Sequence, residues 1–182
     1  MKKKSPALLV IDMFTQFDFP EAKEVEPGGK TAARHIARLM QHFRTRGAPV
    51  IYANDNFANW QMDFKELVQV CLATEGASST IAKLLRPQPG DYFILKPKHS
   101  AFLATPLAVL LAKLGVSELV VAGMTAESCV AATCFDSNAR EYDTVVVREA
   151  VAGIAARKTT ALRLLQDSKA ASVVQLDSYL RR

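Results

Sequence analysis

The sequence predicts an α/β protein of three layers, with a mainly parallel six-stranded sheet held between two layers of helices in the Rossmann-like manner. Six short β-rich runs, 7–11, 50–53, 92–95, 118–122, 144–147 and 172–176, are mostly apolar without interruption. Strands read this way when both faces of a parallel sheet are covered. Between most of these runs the apolar residues fall into a helical period, and alternating strands and helices require right-handed crossovers over one sheet. The length, 182 residues, suits a single domain over 1–182.

The elements follow in order. The run 7–11 ends at Asp12. A helix is expected over 31–46, where Ile36, Leu39, Met40 and Phe43 share a face and Gly47 provides the stop. The run 50–53 leads into a loop rich in Asn and aromatic residues, then into shorter helical patches near 64–72 and 79–85. After 92–95, Thr105 and Pro106 read as N-cap and first residue of a helix ending at Gly115. The run 118–122 precedes a helix expected from about Glu127. The run 144–147 precedes another over about 157–168, and 172–176 closes the sheet.

Composition narrows the function. About half the residues are hydrophobic (49%) and 23% are charged, the balance of a globular chain with a substantial core. The net charge of +5 is matched by Lys2, Lys3, Lys4, Arg181 and Arg182 at the termini, so the body is neutral and nucleic-acid binding is not expected. The apolar run after the N-terminal lysines is broken at Asp12, too early for a signal peptide, and nothing approaches a membrane span. Three cysteines, Cys71, Cys129 and Cys134, without C-x-x-C spacing point to a reduced, cytoplasmic protein.

In open parallel sheets, ligands sit beyond the carboxyl ends of the strands. That rule gathers Asp12, Asn54 with Asp55, Lys96, and the segment Gly123-Met-Thr-Ala-Glu-Ser-Cys129 at one edge. Asp12 reads either as a cap or as a functional carboxylate, because an acid directly after five apolar residues needs a partner or a task. Lys96 reads as a lysine reaching solvent or as a functional cation. Cys129 reads as a small core residue or as a nucleophile at a strand–turn–helix junction, where backbone N–H groups favour the thiolate. Gly28-Gly29-Lys30-Thr31 is no phosphate loop, since Glu24 stands where that motif needs glycine. No G-x-S-x-G elbow is present, and His35, His42 and His99 lack zinc-ligand spacing.

Four stretches, ALLVIDM with FDF at 17–19, VIYANDNF at 50–57, YFILKPKHSAF at 92–102 and GMTAESCV at 123–130, resemble the isochorismatase-like cysteine hydrolases. The resemblance runs over nearly the whole chain and implies the fold of that family. It implies a catalytic set of Asp12, Lys96 and Cys129, with Lys96 preferred to Lys98 because the family lysine stands four residues before the serine of S-A-F, here Ser100. It also implies a cis peptide at Met124–Thr125 that turns the Thr125 and Cys129 amides toward an oxyanion. In that scheme Asp12 takes the thiol proton and Cys129 attacks a carbonyl carbon, while Lys96 lowers the thiol pKa and keeps Asp12 ionised.

Departures from the family pattern refine the expectation. The D-x-H-x-x-H of metal-binding nicotinamidases is replaced by a stretch holding Asn54, Asp55, Asn56 and Asn59 without histidine, so neither a metal nor another cofactor is expected. The cysteine favours amides, ureides or related acyl compounds over the vinyl ethers cleaved by isochorismatases. The alternatives are such a vinyl-ether hydrolase or a catalytically silent, metabolite-binding member. DMFTQF after the first strand departs from the family's D-M-x-N-D-F. Phe17, Asn54, Asp55, Trp60 and Phe102 are expected to bind substrate. Phe14 and Phe57 also stand near the motifs, and each of the aromatics reads equally as pocket or core. The partner is a small molecule, and a homo-oligomer is expected from the family and from the apolar run 107–111.

Overall fold

A computed structural model describes residues 5–56 and 60–182. Lys2–Lys4, Phe57 and Asn59 lie outside the described residues. Six parallel strands form one sheet: β1 (Pro6–Ile11), β2 (Val50–Asp55), β3 (Tyr92–Lys96), β4 (Glu118–Gly123), β5 (Asp143–Val151) and β6 (Ser172–Val174). Their order is β3-β2-β1-β4-β5-β6. The chain winds outward from β1 to β3, then returns to pair β4 on the other side of β1. The direction of winding therefore reverses between β1 and β4, which opens a crevice at their carboxyl ends.

Alternate residues of β1 feed opposite cores. Leu8 and Val10 pack with α1 (Ala22–Thr45), α2 (Phe64–Ala73), α3 (Ala77–Leu84) and α7 (Leu176–Leu180). Ala7, Leu9 and Ile11 pack with α4 (Leu107–Lys113), α5 (Ala131–Asn138) and α6 (Ala155–Asp167). All five residues from Ala7 to Ile11 are buried, as the central strand of a three-layer sandwich requires. Among the described residues, no helix is long and apolar enough to cross a membrane.

Several boundaries differ from expectation: β5 runs on to Val151, and β6 stops at Val174 because Leu176, expected in the strand, begins α7. Three other differences have a clear physical reason. Helix α1 starts at Ala22, nine residues before the predicted start, and carries Pro27 within it. Pro27-Gly28-Gly29 reads as a breaker, but packing overrides the propensity. A Cβ at Gly29 would meet the Phe17 ring at 3.4 Å and Ile81 at 3.5 Å, so the helix lies close against both. At the other end Gly47, with φ 65° and its N–H bonded to the Arg44 carbonyl, stops the helix as expected.

Helix α4 starts at Leu107, with Thr105 Oγ1 accepting from the Leu107 amide across Pro106. Leu107 and Leu111 enter the core while Val109 is exposed, so the apolar run 107–111 is only partly explained by burial. The helix expected from Glu127 begins instead as one π turn, Ala126–Val130, before α5 continues it.

β1 and β4 end level, with Ile11 opposite Gly123. Gly123 has φ 121°, and a Cβ there would collide with the Ile11 carbonyl. Only glycine allows the two strand ends to close this tightly. The Met124 amide then donates to that Ile11 carbonyl at 3.0 Å, which leads the chain directly into the turn that carries Cys129. The Met124–Thr125 peptide is cis.

Candidate active site

Asp12 is the first residue beyond β1 and adopts φ 51°, a left-handed conformation that aspartate tolerates better than most residues. Its amide donates to the Ala53 carbonyl at 3.0 Å. The carboxylate is held from two sides. Oδ1 accepts from the Asp55 amide at 2.7 Å, and Oδ2 lies 2.8 Å from Lys96 Nζ.

Lys96 ends β3 and points inward with its side chain wholly enclosed. Its ammonium donates to the Lys98 carbonyl at 3.0 Å and lies 3.5 Å from both Asp55 Oδ2 and Cys129 Sγ. The reading of Lys96 as a lysine stretching to solvent is thereby excluded. The Cys129 thiol, in the π turn, lies 3.5 Å from the same Lys96 ammonium that pairs with Asp12. Three strand ends thus bring Asp12, Lys96 and Cys129 together.

Burial dominates the electrostatics of this group. It raises the Asp12 pKa above the usual carboxylate range, and the Lys96 charge and the hydrogen bonds only partly oppose it. For Lys96, burial works against the ammonium, but the charges of Asp12, Cys129 and Asp55 outweigh it and the pKa is raised. Burial, reinforced by the Asp12 charge, pushes the Cys129 thiol up to about 12, although Lys96 pulls it down. The expected lowering of the thiol pKa is therefore corrected: burial and the Asp12 charge outweigh Lys96 and favour the protonated thiol.

Asp12 and Cys129 border an open cleft of about 580 Å³, lined also by Thr15, Phe19, Asp55, Asn56, Trp60, Pro97, Lys98, His99, Met124, Thr125 and Ser128, while Lys96 lies enclosed behind them. Of the expected substrate-binding residues, Asp55 and Trp60 line it. Phe17, Asn54 and Phe102 do not. Phe17 packs on Gly29 and Phe19, and Phe19 takes the place at the cleft. Asn54 is buried, with Oδ1 accepting from the Phe14 amide and Nδ2 donating to the carbonyls of Phe14 and Asp55. Its role is to fix the turn after β2. Phe102 is buried in the α4–α6 core, against Tyr142 and under the Arg140 guanidinium. Phe14 is likewise core, edge-on to Tyr52 and Phe64.

His99 and Ser128 were not expected at the cleft. Both are chain neighbours of the motif residues, His99 three positions after Lys96 and Ser128 directly before Cys129. Their shared signal in the sequence was that proximity alone. In the turn around Cys129, the amides of Met124, Ala126, Ser128 and Val130 each donate to a protein carbonyl. Those of Thr125 and Cys129 are the two that the resemblance assigns to an oxyanion.

Asn54 and Asp55, at the end of β2, do not fit a metal ion. The Asn54 side chain is committed to backbone partners, and the Asp55 carboxylate faces an ammonium. Among the described residues, no group of three or more His, Cys, Asp or Glu side chains is placed to hold a metal.

Comparison with known proteins shows the family. Residues 6–177 match the family profile described as the Isochorismatase domain. The chain is 36% identical over 152 residues to an isochorismatase family protein of Bacillus subtilis, covering 84% of this chain and 83% of that one. It is 31% identical over 154 residues to the maleamate amidohydrolase of Pseudomonas putida, covering 81% and 72%. Among solved structures, the N-carbamoylsarcosine amidase of Thermoplasma acidophilum superposes with a TM-score of 0.74 at 26% identity, covering 96% of this chain and 98% of that one.

Proposed function

The chain belongs to the isochorismatase family, a family of hydrolases, and from that premise we propose that it cleaves a small amide, ureide or related acyl compound through a thioester on Cys129. The observation that carries this reading is the meeting of three groups at one open cleft, which Asp12 and Cys129 border with Lys96 enclosed behind them. The enclosed Lys96 ammonium lies 2.8 Å from Asp12 and 3.5 Å from the Cys129 sulfur, which joins the acid, the cation and the thiol at one point. Two relatives named for amide substrates, a maleamate amidohydrolase and an N-carbamoylsarcosine amidase, support the amide class. One domain over 1–182 carries the whole site.

Asp12 accepts the thiol proton as Sγ bonds to the carbonyl carbon. Its raised pKa makes it a stronger base than an exposed aspartate, which suits it to a thiol whose own pKa stands near 12. The amides of Thr125 and Cys129 receive the negative oxygen. The tetrahedral adduct then expels the amine, which takes the proton from Asp12. Water attacks the thioester with Asp12 again as base, and the thiol is restored with release of the acid. Lys96 holds Asp12 in place throughout and tempers the charge that gathers around the sulfur.

The test is a screen of small amides and ureides for released ammonia or amine, with mass spectrometry of the quenched enzyme. An acyl adduct on Cys129, and no turnover by Cys129→Ala, is the expected result. Turnover that survives Cys129→Ala would overturn it.

A further inference from the structure

Cys129 Sγ lies between two unlike sets of groups. On the buried side stand Asp12 and Lys96, with Asp55 behind them. On the open side stand Ser128 Oγ and His99 Nδ1, each 3.9 Å from the sulfur and 3.0 Å from one another. Lys98, exposed, borders the same cleft, and its carbonyl is tied to Lys96 Nζ.

The charges on the two sides differ in kind. Asp12 and Asp55, the acids lining this cleft, both face Lys96. Among the described residues, neither Lys98 nor His99 has a carboxylate partner. The open side therefore offers an imidazole and a hydroxyl beside the sulfur, and a lysine bordering the same cleft, all three able to donate. Phe19, Trp60, Pro97 and Met124 supply apolar walls for the rest of a short ligand.

We propose that Lys98, His99 and Ser128 form a carboxylate-receiving subsite, so that the substrate is a small amide or ureide whose far end carries a carboxylate. This rests on the reading of Cys129 as the nucleophile. A carboxylate accepts hydrogen bonds only and is held best by charged donors. With Sγ bonded to the carbonyl carbon, groups 3.9 Å from the sulfur lie within reach of a carboxylate a few bonds along the same molecule. A ligand with a neutral or cationic far end would leave the Lys98 ammonium without a counter-charge.

The test uses two thiol reagents of similar size, iodoacetate and iodoacetamide, which differ in carrying a carboxylate or a carboxamide. Alkylation rates are measured on the full chain, with mass spectrometry locating the label on Cys129. Cys71 and Cys134, both buried, are followed in a Cys129→Ala control. The ratio of the iodoacetate rate to the iodoacetamide rate is expected to fall about tenfold or more in Lys98→Met/His99→Gln, the loss that a charge-assisted hydrogen bond implies. Ser128→Ala and the single variants should fall between. In a second arm, succinate should protect the wild-type thiol from iodoacetamide better than succinamide does, and the double variant should lose that preference. A ratio unchanged within twofold, with Cys129 still labelled, overturns the subsite and leaves the nucleophile standing. Amide turnover that survives Cys129→Ala overturns the nucleophile and the subsite with it.

Discussion

Lys96 Nζ and Asp12 Oδ2 form an ion pair of 2.8 Å with the lysine side chain wholly enclosed, and Asp55 Oδ2 approaches the same ammonium at 3.5 Å. Two carboxylates thus share one cation. Lys96→Met leaves both without it, and breaking a buried pair in this way costs about 3–5 kcal/mol. The loss should be largest at neutral pH. With the cation gone, Asp12 binds its proton still more readily, so lowering the pH neutralises the stranded charge and narrows the gap to wild type. Urea denaturation at pH 7 and pH 5 measures it, and a gap that widens at pH 5 would refute the account.

The rate should depend on pH through Asp12. Its carboxylate must be ionised to take the thiol proton, and burial raises its pKa. Activity should therefore be lost on acidification at a higher pH than an ordinary aspartate, about 3.9, would give. At the alkaline side Lys96 is raised and the Cys129 thiol stands near 12, so kcat/KM should hold level from neutral into mildly alkaline solution. An acid limb at or below the ordinary aspartate value would contradict this assignment.

The three cysteines should separate cleanly. Cys129→Ser should abolish turnover and leave the fold intact. Cys134 is fully buried among apolar residues of the α4–α6 core, so Cys134→Ser should keep activity and lose about 1–3 kcal/mol of stability for the buried hydroxyl. Combining Cys129→Ser with Asp12→Asn should lower the rate little further than either alone, since the two act as one unit. Fully multiplicative losses in kcat would count against that coupling.

Much of this arrangement was legible in the sequence, and the misses share a cause. The strands were readable because a parallel sheet covered on both faces demands unbroken apolar runs, as in Ala7–Ile11. Asp12, Lys96 and Cys129 were readable as candidates because each follows such a run or the turn after it, and the family resemblance singled them out. What local pattern does not carry is side-chain direction in loops. Phe17 and Phe19 are two residues apart, yet only Phe19 lines the cleft, because Phe17 adopts φ 57° and packs on Gly29. Phe102 follows the Lys96 motif closely, but α5 draws its loop inward through the Ala101 amide, bonded to Thr133 Oγ1 at 3.0 Å. His99 reaches the sulfur from the same loop, and its pairing with Ser128 spans 29 residues of sequence.

Far from the cleft, Asp91 accepts from Arg44 and from the Gln88 amide, and Arg44 also donates to the Tyr52 hydroxyl. This network ties the end of α1 to the turn before β3. Asp91→Ala should lower stability by about 1.5–3 kcal/mol, the range for hydrogen bonds to charged groups. The expected signature is a lower thermal midpoint with kcat/KM unchanged at 25 °C. A fall in kcat/KM without a fall in stability would mean that this network serves the site directly.

A chelator should leave the rate unchanged, because the Asp55 carboxylate faces an ammonium and the Asn54 amide is committed to backbone groups. Dialysis against a strong chelator, followed by addition of zinc or manganese, checks it. Activity lost in the first step and restored in the second would reverse this reading.

Because Asp12 carries its carboxylate on a left-handed backbone, φ 51°, residue 12 is a test of shape as well as of charge. Asparagine tolerates that conformation, and glycine adopts it freely, whereas alanine pays to hold it. Asp12→Asn and Asp12→Gly therefore remove the base from an undisturbed frame. Asp12→Ala invites the exit of β1 to relax and to carry the neighbouring turns with it. The difference between the glycine and alanine variants measures the backbone's own share of the loss, so the choice of replacement becomes part of the measurement.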